Sequence, residues 1–157
     1  MMWANELSVA LEAGKVARKV IMEIYQGDFA VMIKEDASPV TIADQKADLV
    51  IREIIGKTFP EHAFLTEEGQ DDLSRLNHDY VWIVDPLDGT KDFIHRYGEF
   101  TINIALSYRH EIVVGVIVAP VTNVIYYATK GGGSFRLENG IATKIQVNDK
   151  TKDLTVL

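Results

Sequence analysis

Apolar residues return at steps of three and four along Leu7, Ala10, Leu11, Gly14, Ala17, Ile21 and Ile24, with Glu, Lys and Arg between them. That spacing gathers them on one face and predicts an amphipathic helix from about Asn5 to Tyr25, stopped by Gly27. A short extended segment, Ala30 to Lys34, precedes the breaker EDASPVT. Ala43, Ala47, Val50, Ile51, Ile54 and Ile55 then set out a second helix that ends near Lys57 to Pro60, with Thr41 as its N-cap. Past Pro60 the helical period is lost. AFLT, YVWIV, FTINIALSY, IVVGVIVA, NVIYYAT, GSFRLE and ATKIQV are short, rich in β-branched and aromatic residues, and separated by Gly, Asn, Pro or charged pairs. They read as strands of a mostly antiparallel sheet. The polar stretch Gly69 to Asp79 is the one long loop expected. Helices first and strands afterwards predict an α+β domain, two N-terminal helices packed on a sheet, rather than alternating βαβ units.

Composition narrows the classes of function. With 157 residues, 47% of them hydrophobic, the chain is sized for a single domain, 1–157, around one core. Its formal charge of −7 argues against a nucleic acid polymer as partner, since that binding draws on Lys and Arg displacing counterions. Metal cations meet no such barrier. The chain has no cysteine, so disulfides, thiolate nucleophiles and Cys-ligated zinc are excluded. Glu6 and Glu12 stand where a signal peptide needs a basic start and an apolar run, and no apolar stretch reaches membrane-spanning length. The expectation is a soluble, cytoplasmic protein without membrane contact.

The chemistry concentrates in VDPLDGT, Val84 to Thr90. An apolar strand delivers Asp85, Pro86 fixes a turn, and Gly89 permits a backbone conformation closed to residues with a Cβ. Asp85 and Asp88 then face one point, where two carboxylates repel unless a cation lies between them; a hard-metal site of oxygen ligands accounts for that. The Leu87 carbonyl lies between the two, Thr90 adds a hydroxyl, and the amides of Gly89 and Thr90 are placed to meet an anion. Asp-Gly is also an ordinary hairpin signal, and an acidic turn is usually just solvated. Two further acidic clusters weigh against the ordinary reading. LTEEG places Glu67 and Glu68 directly after a strand, and TIADQKAD puts Asp44 in the first turn of the second helix, where a favourable interaction with the helix dipole is the bland alternative.

Taken in order, TIADQKAD, LTEEG and WIVDPLDGTKDF resemble the magnesium-dependent, lithium-sensitive phosphatases of the inositol monophosphatase superfamily. The run from Gly98 to Phe135 continues the resemblance over nearly the whole chain. KDF after DGT and APVTNVIYYA are more similar to the bacterial 3'(2'),5'-bisphosphate nucleotidases than to inositol monophosphatases. The resemblance implies Glu67, Asp85, the Leu87 carbonyl and Asp88 as Mg2+ ligands, and the amides of Gly89 and Thr90 as the hold on a substrate phosphate. It implies Asp44 and Thr90 as the residues that orient and deprotonate an attacking water, assisted by Glu67, with Glu68 behind the ligands and Lys34 near the metal.

Rival motifs fail on spacing. The glycines from Gly131 to Gly133 lack the Lys-Ser/Thr of a phosphate-binding loop and read as a hairpin turn; the twelfth position from Asp85 is Arg96, not the acid an EF-hand needs; and the four histidines have no ligand spacing. Family members continue into a second α/β half that carries a further metal-ligating aspartate, so the resemblance implies an N-terminal half with the C-terminal domain absent. The expected activity is Mg2+-dependent hydrolysis of a small phosphate ester, with 3'-phosphoadenosine 5'-phosphate as substrate. Inositol monophosphate hydrolysis and a non-catalytic domain with weak cation binding are the alternatives, and the expected partners are the missing half or a second copy.

Overall fold

The computed structural model describes residues 2–27, 31–33, 39–71 and 73–147. Helix α1 runs Ala4–Gln26 and ends where Gly27 turns its N–H back to the Ile24 carbonyl. Helix α2 runs Ile42–Thr58 from the expected N-cap, Thr41. Both bury a face built from small residues: Ala10, Ala13, Gly14 and Ala17 on α1, Ala43 and Ala47 on α2. Small side chains let backbones approach closely. A Cβ at Gly14 would stand 2.9 Å from Val118 Cγ2, so α1 rests almost directly on the sheet.

Strand β1 (Val31–Ile33) pairs antiparallel with β2 (Pro39–Thr41). The first falls in the extended segment expected between residues 30 and 34, whereas PVT, expected as part of a breaker, supplies the second. Lys34 lies outside the described residues. The main sheet holds seven strands in chain order: β3 (Ala63–Thr66), β4 (Tyr80–Asp88), β5 (Thr101–Tyr108), β6 (Glu111–Ala119), β7 (Val124–Thr129), β8 (Gly133–Glu138) and β9 (Ile141–Ile145). β3 and β4 are parallel and the other pairs antiparallel. The long loop between β3 and β4 contains a 3-10 turn, Ser74–Asn77, and returns the chain to the starting edge of β3.

Alternation along the strands sorts side chains to two faces. Trp82 and Val84, Ile102, Ile104 and Leu106, and Val114, Val116 and Val118 are buried beneath the helices. Ile83, Ile117 and Tyr126 point to the other face and stay exposed. At the β3 end, His62 lies stacked between Phe59 (4.7 Å between ring centres) and Tyr80 (4.5 Å), and its Nδ1 accepts the indole N–H of Trp82 at 3.1 Å. The fold is thus two helices on a mostly antiparallel sheet, as the pattern predicted. Among the described residues no helix is long and apolar enough to cross a membrane.

Two local expectations need correction. β4 does not stop at Asp85 with Pro86 turning the chain; it continues through Pro86 to Asp88, and its ladder with β5 slips between those two aspartates. Proline lacks an N–H to donate, and an irregularity in the ladder is where a strand tolerates it. After Gly89 comes a short helix, α3 (Thr90–Ile94), which the periodicity did not suggest.

Candidate functional site

Three elements meet where β4 ends. Asp44, in the first turn of α2, is buried, and its two oxygens do different work. Oδ2 accepts from the Thr41 backbone N–H at 2.8 Å and from the Thr41 hydroxyl at 2.6 Å. Thr41 Oγ1 in turn accepts the Ala43 N–H at 3.1 Å, a reciprocal cap that satisfies donors a helix start leaves open. Asp44 Oδ1 faces the other way, 3.1 Å from Thr90 Oγ1, so residues 46 apart in sequence are in contact. The Thr90 hydroxyl also lies 3.2 Å from the Leu87 carbonyl oxygen. Its single proton therefore has two acceptors to choose between.

Gly89 makes this junction. Its φ of +94° is costly for a residue with a Cβ, and a Cβ there would meet the Glu99 carbonyl oxygen at 3.0 Å and Phe100 Cβ at 3.2 Å. The glycine thus brings α3 tightly against the start of β5 and aims Thr90 at Asp44.

The acidic residues lie alongside. Glu67 follows β3, and its N–H donates to the Val84 carbonyl at 3.2 Å, which carries the β3–β4 pairing one residue past the strand. Asp85 Oδ1 accepts the Leu87 N–H at 3.2 Å. The carboxyl of Asp85 is pushed up to about 7, first by burial, then by the charges of Glu67 and Asp88 and by a hydrogen bond shared with Glu67; the Leu87 N–H opposes the rise. Asp88 is exposed, and its Oδ2 accepts from Asn103 Nδ2 at 3.0 Å.

The donor set of carboxylates and a carbonyl suits a hard cation such as Mg2+, and the repulsion that raises Asp85 is what such a cation would relieve. Among the described residues no three acidic or histidine side chains are gathered closely enough to hold a metal. Glu67 and Asp85 instead share a hydrogen bond, and Asp88 is turned to Asn103. The chemistry fits a cation, while Glu67 and Asp85 are closed on one another.

The structure therefore brings Asp44 to Thr90, Thr90 to the Leu87 carbonyl, and Glu67 to Asp85, with Asp88 three residues further along β4. Glu68, next to Glu67 in sequence, is half-buried. Asn103 escaped the sequence reading. It lies opposite Asp85 in the β4–β5 ladder, and its signal was a lone amide in the otherwise apolar run TINIAL.

Known proteins resemble this chain along nearly its whole length. A model of the inositol monophosphatase family matches residues 2–156. The 3'(2'),5'-bisphosphate nucleotidase CysQ of Salmonella typhimurium is 40% identical over 154 residues, covering 96% of this chain and 62% of that protein. The crystal structure of CysQ from Bacteroides thetaiotaomicron superposes with a TM-score of 0.75 at 38% identity, over 95% of this chain and 53% of that one. An IMPase/NADP phosphatase solved with Mg2+ and phosphate superposes with a TM-score of 0.71 at 25% identity, over 81% and 48% respectively. The chain thus spans less than two thirds of the length of these relatives.

Proposed function

The chain belongs to the inositol monophosphatase family, whose members are metal-dependent phosphatases, and on that premise we propose that it supplies the metal and nucleophile half of a Mg2+-dependent 3'(2'),5'-bisphosphate nucleotidase. The proposed substrate is 3'-phosphoadenosine 5'-phosphate, the compartment the cytoplasm. The observation that carries the reading is the Thr90–Asp44 contact beside the acidic group of Glu67, Asp85 and Asp88. Similarity to CysQ favours the nucleotide over an inositol phosphate.

In this reading Glu67, Asp85, the Leu87 carbonyl and Asp88 hold Mg2+, which when bound lends positive charge to lower the pKa of a water and to stabilise a leaving oxygen. Asp44 is anchored through its Oδ2 in the cap of α2. Its Oδ1 fixes the Thr90 hydroxyl, and Thr90 orients the attacking water and passes its proton to Asp44. The amides of Gly89 and Thr90 receive the phosphate. In-line attack of water on the phosphorus breaks the ester bond and leaves inorganic phosphate and the nucleoside monophosphate.

A second reading, in which this chain alone is a non-catalytic domain with weak cation binding, is favoured by the closed acidic side chains and by the open sheet face of Ile83, Ile117 and Tyr126. The two readings agree if the chain is the N-terminal half of a larger phosphatase, whose remainder covers that face. The test is phosphate release from 3'-phosphoadenosine 5'-phosphate and from inositol 1-phosphate by the whole protein, with and without Mg2+. Activity on the nucleotide that depends on Mg2+ supports the proposal; faster turnover of inositol 1-phosphate overturns the substrate.

A further inference from the structure

Away from the acidic site, α1 and two hairpin turns enclose a cleft of about 400 Å3. Its wall is cationic: Lys15, Arg18 and Lys19 stand on neighbouring turns of α1 and all three line it. In a chain of net charge −7 this is a local reversal, and no carboxylate is among the described lining residues. Glu138, next to the cleft in sequence, is engaged by Arg136 at 2.7 Å. Lys15 and Lys19 form no ion pair among the described residues, whereas Lys130 and Arg136 each have one.

Arg18 distinguishes this cleft from a solvated basic face. Its Nε donates to the Pro120 carbonyl at 2.8 Å in a partly buried contact that ties α1 to the β6–β7 turn. The bond uses one of the five guanidinium donors and fixes the plane that carries the rest. Opposite stand Asn123 and Asn139, held by left-handed turns at φ of +57° and +51°. Ile125 and Leu137 give the cleft an apolar floor. One anchored and two exposed cations, amides and an apolar floor in a cleft of this size match the make-up of small-ligand sites.

We propose that this cleft binds a phosphate-bearing small molecule of mononucleotide size, with the phosphate on Lys15, Arg18 and Lys19 and the ring over Ile125 and Leu137. The site shares no residue with the acidic one and does not depend on the phosphatase reading.

The experiment is a titration of the isotope-labelled chain, at low salt and with chelator present, with adenosine 5'-monophosphate and with inorganic phosphate, following backbone amide resonances. Without a divalent cation the acidic site repels both probes. Saturable shifts at Asn123, Asn139 and Gly140 are expected, with the nucleotide binding more tightly than phosphate. The Lys15→Ala/Lys19→Ala variant, altered only at exposed positions, should bind at least about tenfold more weakly, the loss of one charge-assisted contact. Shifts centred on Gly89 and Thr90, no saturation at millimolar probe, or unchanged affinity in the double variant would each overturn the site. Equal affinity for phosphate and nucleotide would overturn the apolar floor's role.

Discussion

Replacing Gly89 by alanine tests whether the site junction depends on close backbone approach or on backbone conformation alone. Two costs add. A Cβ at φ +94° carries left-handed strain of about 1–2 kcal/mol. The same Cβ stands 3.0 Å from the Glu99 carbonyl oxygen, 3.2 Å from Phe100 Cβ and 3.3 Å from Phe100 Cα. Two of these three are backbone atoms, which cannot swing aside, so a further crowding cost of about 1–3 kcal/mol is expected, for a total near 2–5 kcal/mol. Gly131→Ala is the matched control: its φ is +75° and nothing lies within 4 Å of the added Cβ, so it carries the strain without the crowding. Stiffening of the unfolded chain is common to both substitutions and cancels. Urea unfolding of the two variants should therefore differ by about 1–3 kcal/mol at unchanged slope, a midpoint separation on the order of 1 M. Equal midpoints would refute the reasoning, showing that the turn relaxes away from β5 without penalty.

Other perturbations separate roles within the site. In the whole protein, Thr90→Ala should leave Mg2+ affinity nearly unchanged by calorimetry while lowering turnover roughly 10^2- to 10^4-fold, the range for loss of a general-base element. Asp85→Asn should weaken Mg2+ binding itself, and equal affinity in that variant and the parent would exclude Asp85 as a ligand. Burial between aromatic rings lowers the His62 pKa below 6.5 despite an opposing pull from Glu6, so the folded state binds fewer protons than the unfolded one. His62 therefore adds no penalty above about pH 6.5 and costs stability as pH falls from there through its folded pKa; the urea midpoint should drop less between pH 7.5 and 5.5 in His62→Gln than in the parent. If the chain is the N-terminal half of a larger phosphatase, as proposed, phosphate release by it alone, with Mg2+, should be far below that of the whole protein and should rise when a separate C-terminal half is added; a short chain near the full rate would sink the division of the site between halves.

How far these features were legible depends on whether their cause is local. The cap of α2 was, because Thr41 stands directly before the helical period and its hydroxyl accepts the Ala43 N–H two residues on. The strands were legible from short runs of β-branched and aromatic residues between breakers, down to the bounds of β3. The five residues of α3 hold too little of a helical period to show, and β2 hid behind Pro39, whose restricted φ suits an extended edge as well as a turn. Pro86 misled for the same reason: its turn preference is real, but the slipped ladder beside it lets the strand continue to Asp88. At the site, the carboxylates announced themselves as clusters, and their roles rested on resemblance. The Thr90–Asp44 contact spans 46 residues and depends on how α2 packs against β4, which no local pattern encodes. Asn103 was invisible as a partner because one amide in a strand carries no address.

The two-sided use of Asp44 has a further consequence. Because one oxygen closes the first turn of α2 and the other holds Thr90, that turn must be formed whenever Thr90 is correctly aimed. Fraying of the helix start then acts as a switch on the site, and the share of molecules ready to react is the share with the turn closed. An opening free energy of about 1.4 kcal/mol would leave roughly one molecule in ten unready at any instant, while about 2.8 kcal/mol would leave one in a hundred. Solvent exchange of the amide protons in that turn, measured without any substrate, would read out readiness directly. A stabilising change at the exposed Ile42 or Gln45, touching nothing in the site, would raise turnover by tightening a helix end.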